Sequence, residues 1–329
     1  MDSIAQQARI LYILKILKMY SSEEHSISQT EILKHLSAVG INCDRKTVAR
    51  NIDALIKFGY DIIKISGGGC YINDEKFDDS ELTFLIDCIY SSPALSQKQA
   101  EAIIEKLTKD IDFEKKKKFK NIYKATEMNR TINNQLFYNI DKINRAIQNN
   151  KQISFYYNIY SKDKKLKPRK EGKYIINPYF TINSRGKYFL VCNKDNYDNI
   201  SNYRIDYITY IDILTTPRKE INLIKDGMQI INPTKYVNEH IYMFSGNSKK
   251  FVLKLSNEKV VSDIIDWFGR NVTIVENKEG LFAKLTTNEN AIIYWIMQYG
   301  EDVELIEPYE MREKIKIILT NILQKYDKE

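Results

Sequence analysis

The apolar residues of this 329-residue chain change their spacing partway along it. Up to about residue 140 they recur every three or four positions, which is the period of amphipathic helices. From Lys151 onward, short runs such as KQISFYYNIY alternate apolar with polar residues, which is the period of β-strands. Beyond residue 248, strand-like and helix-like runs take turns. The sequence therefore predicts an α+β protein of several domains, with helices first, then a sheet, then a mixed layer.

Residues 1–77 hold three helical patterns followed by two short β-prone runs. Ser28-Gln29-Thr30-Glu31 has the S-x-x-E form of a capping box, and Asp44 suits the N-cap of the third helix. The β-prone runs flank Gly67-Gly68-Gly69, a composition typical of a tight hairpin. Three helices and a hairpin predict a winged helix-turn-helix domain. One face of its third helix is apolar, with Val48, Ile52, Leu55 and Ile56.

The opposite face of the third helix carries the candidate DNA-contacting residues. In a helix-turn-helix, arginine binds guanine with two hydrogen bonds, and lysine contacts guanine or phosphate. A basic outer face also occurs on ordinary solvated helices, and residues 1–80 hold 10 basic but 11 acidic side chains. The order of helices, tight connection and Gly-rich hairpin favours DNA binding. The candidates are Arg45, Lys46, Thr47, Arg50 and Lys57.

Residues 78–140 continue the helical period and are predicted to be a linker or dimerisation segment. Leu82, Leu85, Ile86 and Ile89 form one apolar stripe, which fits an intramolecular core or a contact between two copies. Operators with two half-sites favour a homodimer. The run at 114–118, EKKKK, is predicted to be a solvated charged turn.

Residues 141–215 hold the positive charge of the chain. They contain 14 basic and 7 acidic side chains, and this excess of +7 equals the net charge of the whole sequence. A short helix from Asp141 to Asn150 is followed by strand-like runs, among them GKYIINPYFTI, GKYFLVCN and ISNYRIDYITYIDIL. Short antiparallel strands at this spacing predict a small barrel or curled sheet. Tyrosines lie among the basic residues, and this pattern suits a phosphate-bearing ligand whose bases stack on the rings.

Several of these motifs resemble those of bacterial WYL-type transcription factors. RKTVARNIDALIKFGYDI followed by GGGCYI resembles their winged-helix domain, and Tyr188-Phe189-Leu190 stands where they have Trp-Tyr-Leu. INPYFTI supplies Pro178, and NYRIDYI resembles F-R-L-D-R-I with Tyr207 at the second arginine. WIMQYG, VELIEP and EMREKI resemble the C-terminal WCX extension. The resemblance implies a small Sm-like β-barrel (WYL) at 141–215, a connector at 216–248 and an α+β sandwich (WCX) at 249–329.

The resemblance also implies that the middle domain senses a ligand: a nucleotide, a cyclic nucleotide or single-stranded nucleic acid. On a strand, Arg204 and Asp206 would share a face. Two interpretations stay open: Arg204 holds a phosphate, or it pairs with Asp206 while the tyrosines fill the barrel core. The candidate ligand-binding residues are Tyr157, Arg169, Tyr179, Arg185, Lys187, Tyr188, Arg204 and Asp206.

The expected function is a homodimeric transcription regulator that binds double-stranded operator DNA and responds to that ligand. The alternative is an accessory protein that binds single-stranded nucleic acid and modulates an effector. The sequence shows no nucleophile–base pair, carboxylate dyad, P-loop or metal-ligand spacing, so we expect no enzyme activity, catalytic residue, metal or cofactor. It also shows no membrane-length apolar run and no signal-peptide core, so we expect a cytoplasmic protein that does not enter the membrane.

Overall fold

The computed structural model describes residues 8–66, 69–73, 77–109, 111, 130–225 and 227–327. Two predicted features, the Gly67-Gly68 tip of the hairpin and the charged run at 114–118, lie outside those residues. The chain divides into two compact units, Met1–Arg130 and Thr131–Glu329. Among the described residues, none of the helices combines the length and the apolar surface that crossing a bilayer requires.

From residue 8 onward, the described residues of the first unit form three helices and a three-stranded antiparallel sheet. The helices are α1 (Arg9–Tyr20), α2 (Gln29–Ala38) and α3 (Arg45–Phe58). The strands, in the sheet order β1-β3-β2, are β1 (Ile27–Ser28), β3 (Gly69–Ile72) and β2 (Ile62–Lys64). Their shared core includes Val48, Ile52 and Leu55, which the helical spacing predicts to face inward.

Side-chain caps fix where α2 and α3 begin. The Ser28 hydroxyl accepts a hydrogen bond from the backbone N–H of Glu31 at 3.2 Å, and the Glu31 carboxylate accepts one from the backbone N–H of Ser28 at 2.8 Å. Asp44 accepts one from the backbone N–H of Thr47 at 2.6 Å. Gly59, with a φ of 112°, ends α3 in a conformation that favours glycine. The predicted capping box and N-cap are therefore present.

In the described part of the first unit two further helices follow, α4 (Asp79–Ser91) and α5 (Gln97–Leu107), and each begins at a capping box. Leu82 and Ile86 of the predicted apolar stripe are buried, and Leu85 and Ile89 are half-buried. Half of the stripe is therefore covered within the unit itself.

The second unit begins with α6 (Leu136–Gln148), which packs against a curled antiparallel sheet. The helix starts five residues earlier than the sequence predicts, and the predicted strand KQISFYYNIY is present. The strands of the curled sheet are β4 (Lys151–Tyr160), β5 (Leu166–Pro168), β6 (Tyr174–Ser184), β7 (Lys187–Lys194), β8 (Ile200–Arg204) and β9 (Ile208–Pro217). β4 pairs with β5, β6 and β9, and this shared strand curls the sheet.

The run ISNYRIDYITYIDIL is two strands rather than one, which corrects the expectation that Arg204 and Asp206 share a strand face. A 3₁₀ turn at Ile205–Tyr207 separates β8 from β9 because β8 pairs with β7, whereas β9 pairs with β4. Asn133 and Asn139 hold the turn, since their side-chain amides donate hydrogen bonds to its backbone carbonyls at 2.9 and 3.3 Å.

A connector leads from the curled sheet to a second sheet, which has four strands. The connector holds two 3₁₀ turns, Ile221–Leu223 and Gly227–Ile230, and helix α7 (Pro233–Glu239). The strands of this second sheet are β10 (Ser248–Leu255), β11 (Thr273–Asn277), β12 (Gly280–Asn288) and β13 (Val303–Glu307). Their order in the sheet is β11-β12-β10-β13. The helices are α8 (Lys259–Phe268), α9 (Glu289–Gln298) and α10 (Tyr309–Tyr326). The predicted β-α-β-β-α-β-α order is therefore present, around a core centred on Phe251 and Trp295.

Candidate functional site

The side of α3 that points away from the core carries basic side chains, and we call it the basic face. Arg45, Lys46, Arg50 and Lys57 are exposed, and Thr47 is half-buried in the first turn. None of the four basic side chains has a hydrogen bond or an ion pair with another residue that the structure describes. Because none of the described residues binds these cations, they remain available to an external anion such as a DNA phosphate.

The two acidic residues nearest the basic face are bound elsewhere. Asp53 pairs with Lys64 of β2 at 2.5 Å. The hydrogen bond from the Thr47 backbone, more than any other contact, holds the pKa of Asp44 below its ordinary value, and the charges of Arg50 and Lys46 add to this effect. Both carboxylates therefore serve the local fold, and neither forms an ion pair with a cation of the basic face.

Inside the curled sheet, five aromatic rings form one group, which we call the aromatic cluster: Phe155, Tyr157, Tyr174, Tyr203 and Tyr207. The rings of Tyr157 and Tyr203 meet edge to face at 4.8 Å between centroids. Burial raises the pKa of Tyr157 to about 12, so its phenol is neutral at physiological pH. Most of these rings are part of the core, while Tyr157 and Tyr207 are half-buried.

Arg204 and Asp206 form a two-point ion pair beside the aromatic cluster, which we call the Arg204 site. Arg204 Nε donates to Asp206 Oδ1 at 3.1 Å, and Nη2 donates to Oδ2 at 2.7 Å. The Asp206 side chain is 0% exposed and that of Arg204 is 22% exposed. Burial disfavours the charged guanidinium, but the hydrogen bonds and charge of Asp206 outweigh it and raise the pKa of Arg204. A guanidinium has five N–H groups, so the pair with Asp206 leaves others for a ligand.

An aromatic ring lies under the Arg204 guanidinium, and two lysines lie at the border of the aromatic cluster. The Arg204 guanidinium lies over the ring of Tyr207, 4.1 Å from the centroid. Lys170 and Lys194 place their Nζ atoms 4.3 and 5.8 Å from the centroid of Tyr174. The backbone N–H of Arg169 donates to the carbonyl of Tyr157 at 2.8 Å, while its side chain is exposed. The aromatic cluster thus has cations at its border.

Two of the predicted ligand residues, Tyr179 and Arg185, have their contacts elsewhere. The Tyr179 hydroxyl donates to the carbonyl of Lys219 at 2.8 Å, within a core shared with the connector. Arg185 lies over the ring of Trp267 in α8, 3.5 Å from the centroid. Lys187 and Tyr188 are half-buried at the start of β7, next to the β6–β7 turn. The structure therefore brings together Tyr157, Arg169, Arg204 and Asp206, and gives Tyr179 and Arg185 contacts with the connector and with α8.

Sequence reasoning missed Tyr203 and Tyr207 as members of the aromatic cluster and Lys170 and Lys194 as cations at its border. The signal for two of them was in the NYRIDY motif itself, in which tyrosines flank Arg204 at one and three positions. Lys194 carried no such signal because only the pairing of β7 with β6 brings it near Tyr174. Among the described residues, no group of three or more His, Cys, Asp or Glu side chains could hold a metal ion.

The helices, the curled sheet and the C-terminal sheet define a multidomain α/β protein. Two family models match its second unit: the WYL domain over residues 138–213 and the WCX domain over residues 249–323. The chain therefore carries a WYL domain followed by a WCX domain, a combination consistent with the WYL-domain regulator family. The WYL and WCX domains that the motifs predicted are confirmed.

Two solved structures are similar to nearly the whole chain. Proteasome accessory factor B/C (PafBC) of Arthrobacter aurescens is 14% identical over 98% of this chain and 49% of its own, with a TM-score of 0.29. A CRISPR Cas-related protein is 15% identical over 98% of this chain and 84% of its own, with a TM-score of 0.39. The chain thus spans about half the length of the PafBC chain. No curated protein matches the sequence.

Proposed function

We propose that this protein is a homodimeric, ligand-responsive transcription regulator that acts in the bacterial cytoplasm. The observation that carries the proposal is the basic face of α3, whose four cations have no partner among the described residues. In this proposal the helices α1–α3 and strands β1–β3 act as a winged helix-turn-helix, and α3 enters the major groove. Arg45, Lys46 and Thr47 in the first turn then meet base edges, while Arg50 and Lys57 contact phosphates.

The curled sheet is the sensing domain of this regulator, an Sm-like barrel that binds an anionic ligand at the Arg204 site. The N–H groups of Arg204 that Asp206 does not use bind a phosphate, and Tyr157 and Tyr207 contact a base or sugar. The ligand is a nucleotide, a cyclic nucleotide or single-stranded nucleic acid. Its binding changes operator affinity only if it favours one of two arrangements of the dimer.

Binding to duplex DNA tests the proposal directly. We expect Lys46→Ala/Arg50→Ala to weaken binding to a random-sequence pool of duplexes, each about 30 base pairs and therefore three helical turns long, by about 30-fold or more. Fluorescence anisotropy measures the affinity, and circular dichroism checks the fold. The matched control is Lys98→Ala/Lys106→Ala, which removes two exposed charges from α5 and should change the affinity by less than about threefold. Equal losses in the two variants would refute recognition through α3.

Calorimetric titration tests the ligand assignment separately, with AMP, cyclic AMP and a 5′-phosphorylated hexanucleotide as probes. We expect at least one probe to bind and Arg204→Ala to abolish that binding, while apo duplex affinity stays unchanged. Arg204→Lys keeps the charge but not the planar fork, so it should restore folding without restoring full affinity. Unaltered binding in both variants would remove Arg204 from the ligand site.

A second candidate function is an accessory protein that binds single-stranded nucleic acid and modulates an effector. The border of the aromatic cluster favours it, where Tyr157 and Tyr207 are half-buried and two lysines lie beside Tyr174, because accessible rings near cations suit unpaired bases. Binding of single-stranded oligonucleotides together with a duplex affinity that is insensitive to changes in α3 would favour this function over the first.

A further inference from the structure

The strand β9 contains a bulge that holds a tyrosine in an unusual conformation. Ser154 lies opposite Asp212 and Tyr156 lies opposite Thr209, so Tyr210 and Ile211 together face the single residue Phe155. Tyr210 has a φ of 53°, in the left-handed region that bulky side chains rarely adopt. Such a conformation persists only where the surrounding structure imposes it, and it is frequent at functional sites.

The bulge directs the two residues to opposite environments. Ile211 is 2% exposed in the core, whereas Tyr210 is 70% exposed. The Tyr210 ring meets the ring of Tyr156 edge to face, at 6.1 Å between centroids and 90° between planes. Most of the Tyr210 ring therefore contacts solvent, and the contact with Tyr156 is its one ring contact among the described residues.

The neighbours of Tyr210 form a continuous outer face on the sheet, opposite the aromatic cluster. We define the outer face as Tyr156, Lys173, Ile175, Tyr210 and Asp212. Ile175 and Asp212 lie on either side of Ser154 in the sheet, so their side chains project on the same side as that of Tyr156, two residues further along β4. Lys173 Nζ lies 5.7 Å from the centroid of Tyr156 and 2.5 Å from Asp212 Oδ2. These contacts join aromatic surface and positive charge on one accessible surface.

Helix α6 extends the outer face with a second pair of the same kind. Lys142 Nζ lies 5.4 Å from the centroid of the exposed Tyr138 ring. The hydrogen bond and charge of Lys173, with a smaller effect from Lys142, lower the pKa of Asp212. Two lysines therefore surround a single carboxylate, and the surface has a net charge of +1 at neutral pH.

This composition distinguishes between the possible occupants. The centre of a protein–protein interface is depleted of lysine and of acidic residues, whereas this surface places both between its tyrosine rings. Surfaces that bind single-stranded nucleic acid combine exposed rings, on which bases stack, with cations that follow the phosphates. The arrangement of Tyr210, Tyr156, Lys173 and Lys142 matches the second description.

We propose that the outer face is an accessory binding surface for single-stranded nucleic acid, separate from the Arg204 site. Bases stack on the rings of Tyr210 and Tyr156, and phosphates lie beside Lys173 and Lys142. The bulge in β9 keeps the Tyr210 ring turned outward, so that it is ready for a base before the ligand arrives. Because the outer face and the Arg204 site use different residues, each can bind without the other.

The test uses the full chain and a fluorescently labelled oligo-dT of about 12 nucleotides, a length within the range that one single-strand-binding surface covers. We expect Tyr210→Asn to weaken binding about tenfold, and Tyr210→Asn/Tyr156→Ala to weaken it further. Asparagine tolerates the left-handed conformation, so the fold should persist, which the melting temperature checks. Tyr210→Phe keeps the ring and should keep the affinity. Tyr326→Ala, which removes a tyrosine that is 84% exposed in α10, is the matched control and should have no effect.

Measurements in an Arg204→Ala background separate the two sites. If the outer face binds by itself, the tenfold effect of Tyr210→Asn persists there, even if the Arg204 site binds nothing. Unchanged affinity of Tyr210→Asn/Tyr156→Ala for oligo-dT overturns the proposal. If that variant keeps its affinity and also sediments with a lower mass, the outer face is instead a contact between copies of the chain.

Discussion

The basic face of α3 and the Arg204 site both concentrate positive charge, but they hold it in opposite ways. The four cations of α3 are exposed and have no partner among the described residues. Arg204 is mostly buried, pairs with Asp206 at two points and lies over Tyr207. Free surface charge suits a long polyanion, because each neutralised phosphate releases counterions. A guanidinium fixed by an acid and a ring suits a small ligand whose phosphate must meet a defined geometry.

Removing Asp206 is expected to have the largest effect on stability, and it disturbs the Arg204 site while leaving the basic face unchanged. Asp206→Ala leaves a mostly buried guanidinium without its counter-charge, so we expect the free energy of unfolding to fall by about 3 kcal/mol. Asp53→Ala breaks the exposed pair with Lys64 and should lower it by less than about 0.5 kcal/mol. Urea unfolding followed by circular dichroism measures both. Similar losses would show that the Arg204 site is no more tightly held than an ordinary surface pair.

Alkaline pH tests whether the phenol beside Arg204 is as buried as its contacts indicate. The ordinary pKa of 10.0 applies to Tyr157 in the unfolded chain, and burial raises it to about 12 in the folded one. Between these values the unfolded chain releases the proton while the folded chain retains it, so stability should fall as the pH rises. Two pH units correspond to a loss of about 2.7 kcal/mol.

Urea midpoints measured between about pH 9 and about pH 11.5, around the ordinary tyrosine pKa, follow this loss. Tyr203 also has a pKa that burial raises, so the wild type has more than one contribution in the same direction. Tyr157→Phe should therefore show a shallower decline rather than none. An identical decline in the variant would mean that Tyr157 is solvated.

A smaller loss of stability is expected at Arg185, whose contacts lie outside the Arg204 site. Its cation–π contact with Trp267 joins the β6–β7 turn to α8, and we expect Arg185→Ala to lower the free energy of unfolding by about 1 kcal/mol. Arg145→Ala, which breaks an exposed i,i+4 pair with Asp141, should cost less than about 0.5 kcal/mol. If Arg185→Ala instead left stability unchanged and weakened nucleotide binding, Arg185 would return to the ligand site.

The elements that the sequence predicted well are those whose signals are local. The helical spacing of α3, the capping residues Ser28 and Asp44 and the alternation in β4 depend on neighbours within a few positions. The break after Arg204 was not predicted, because it follows from β8 and β9 pairing with different partner strands. The same cause explains Tyr179 and Arg185, whose residue types suggested a ligand but whose partners lie 40 or more positions along the chain. Pairing between residues far apart along the chain is the part of the fold that could not be predicted from one sequence.

The salt dependence of duplex binding tests the account most directly, because it counts the phosphate contacts of the basic face. The logarithm of the association constant for duplex DNA should fall linearly with the logarithm of salt concentration. In Lys46→Ala/Arg50→Ala the slope should become shallower by about 1, because Arg50 is assigned to a phosphate and Lys46 to a base edge. A slope identical to that of the wild type would contradict the assignment of DNA binding to α3.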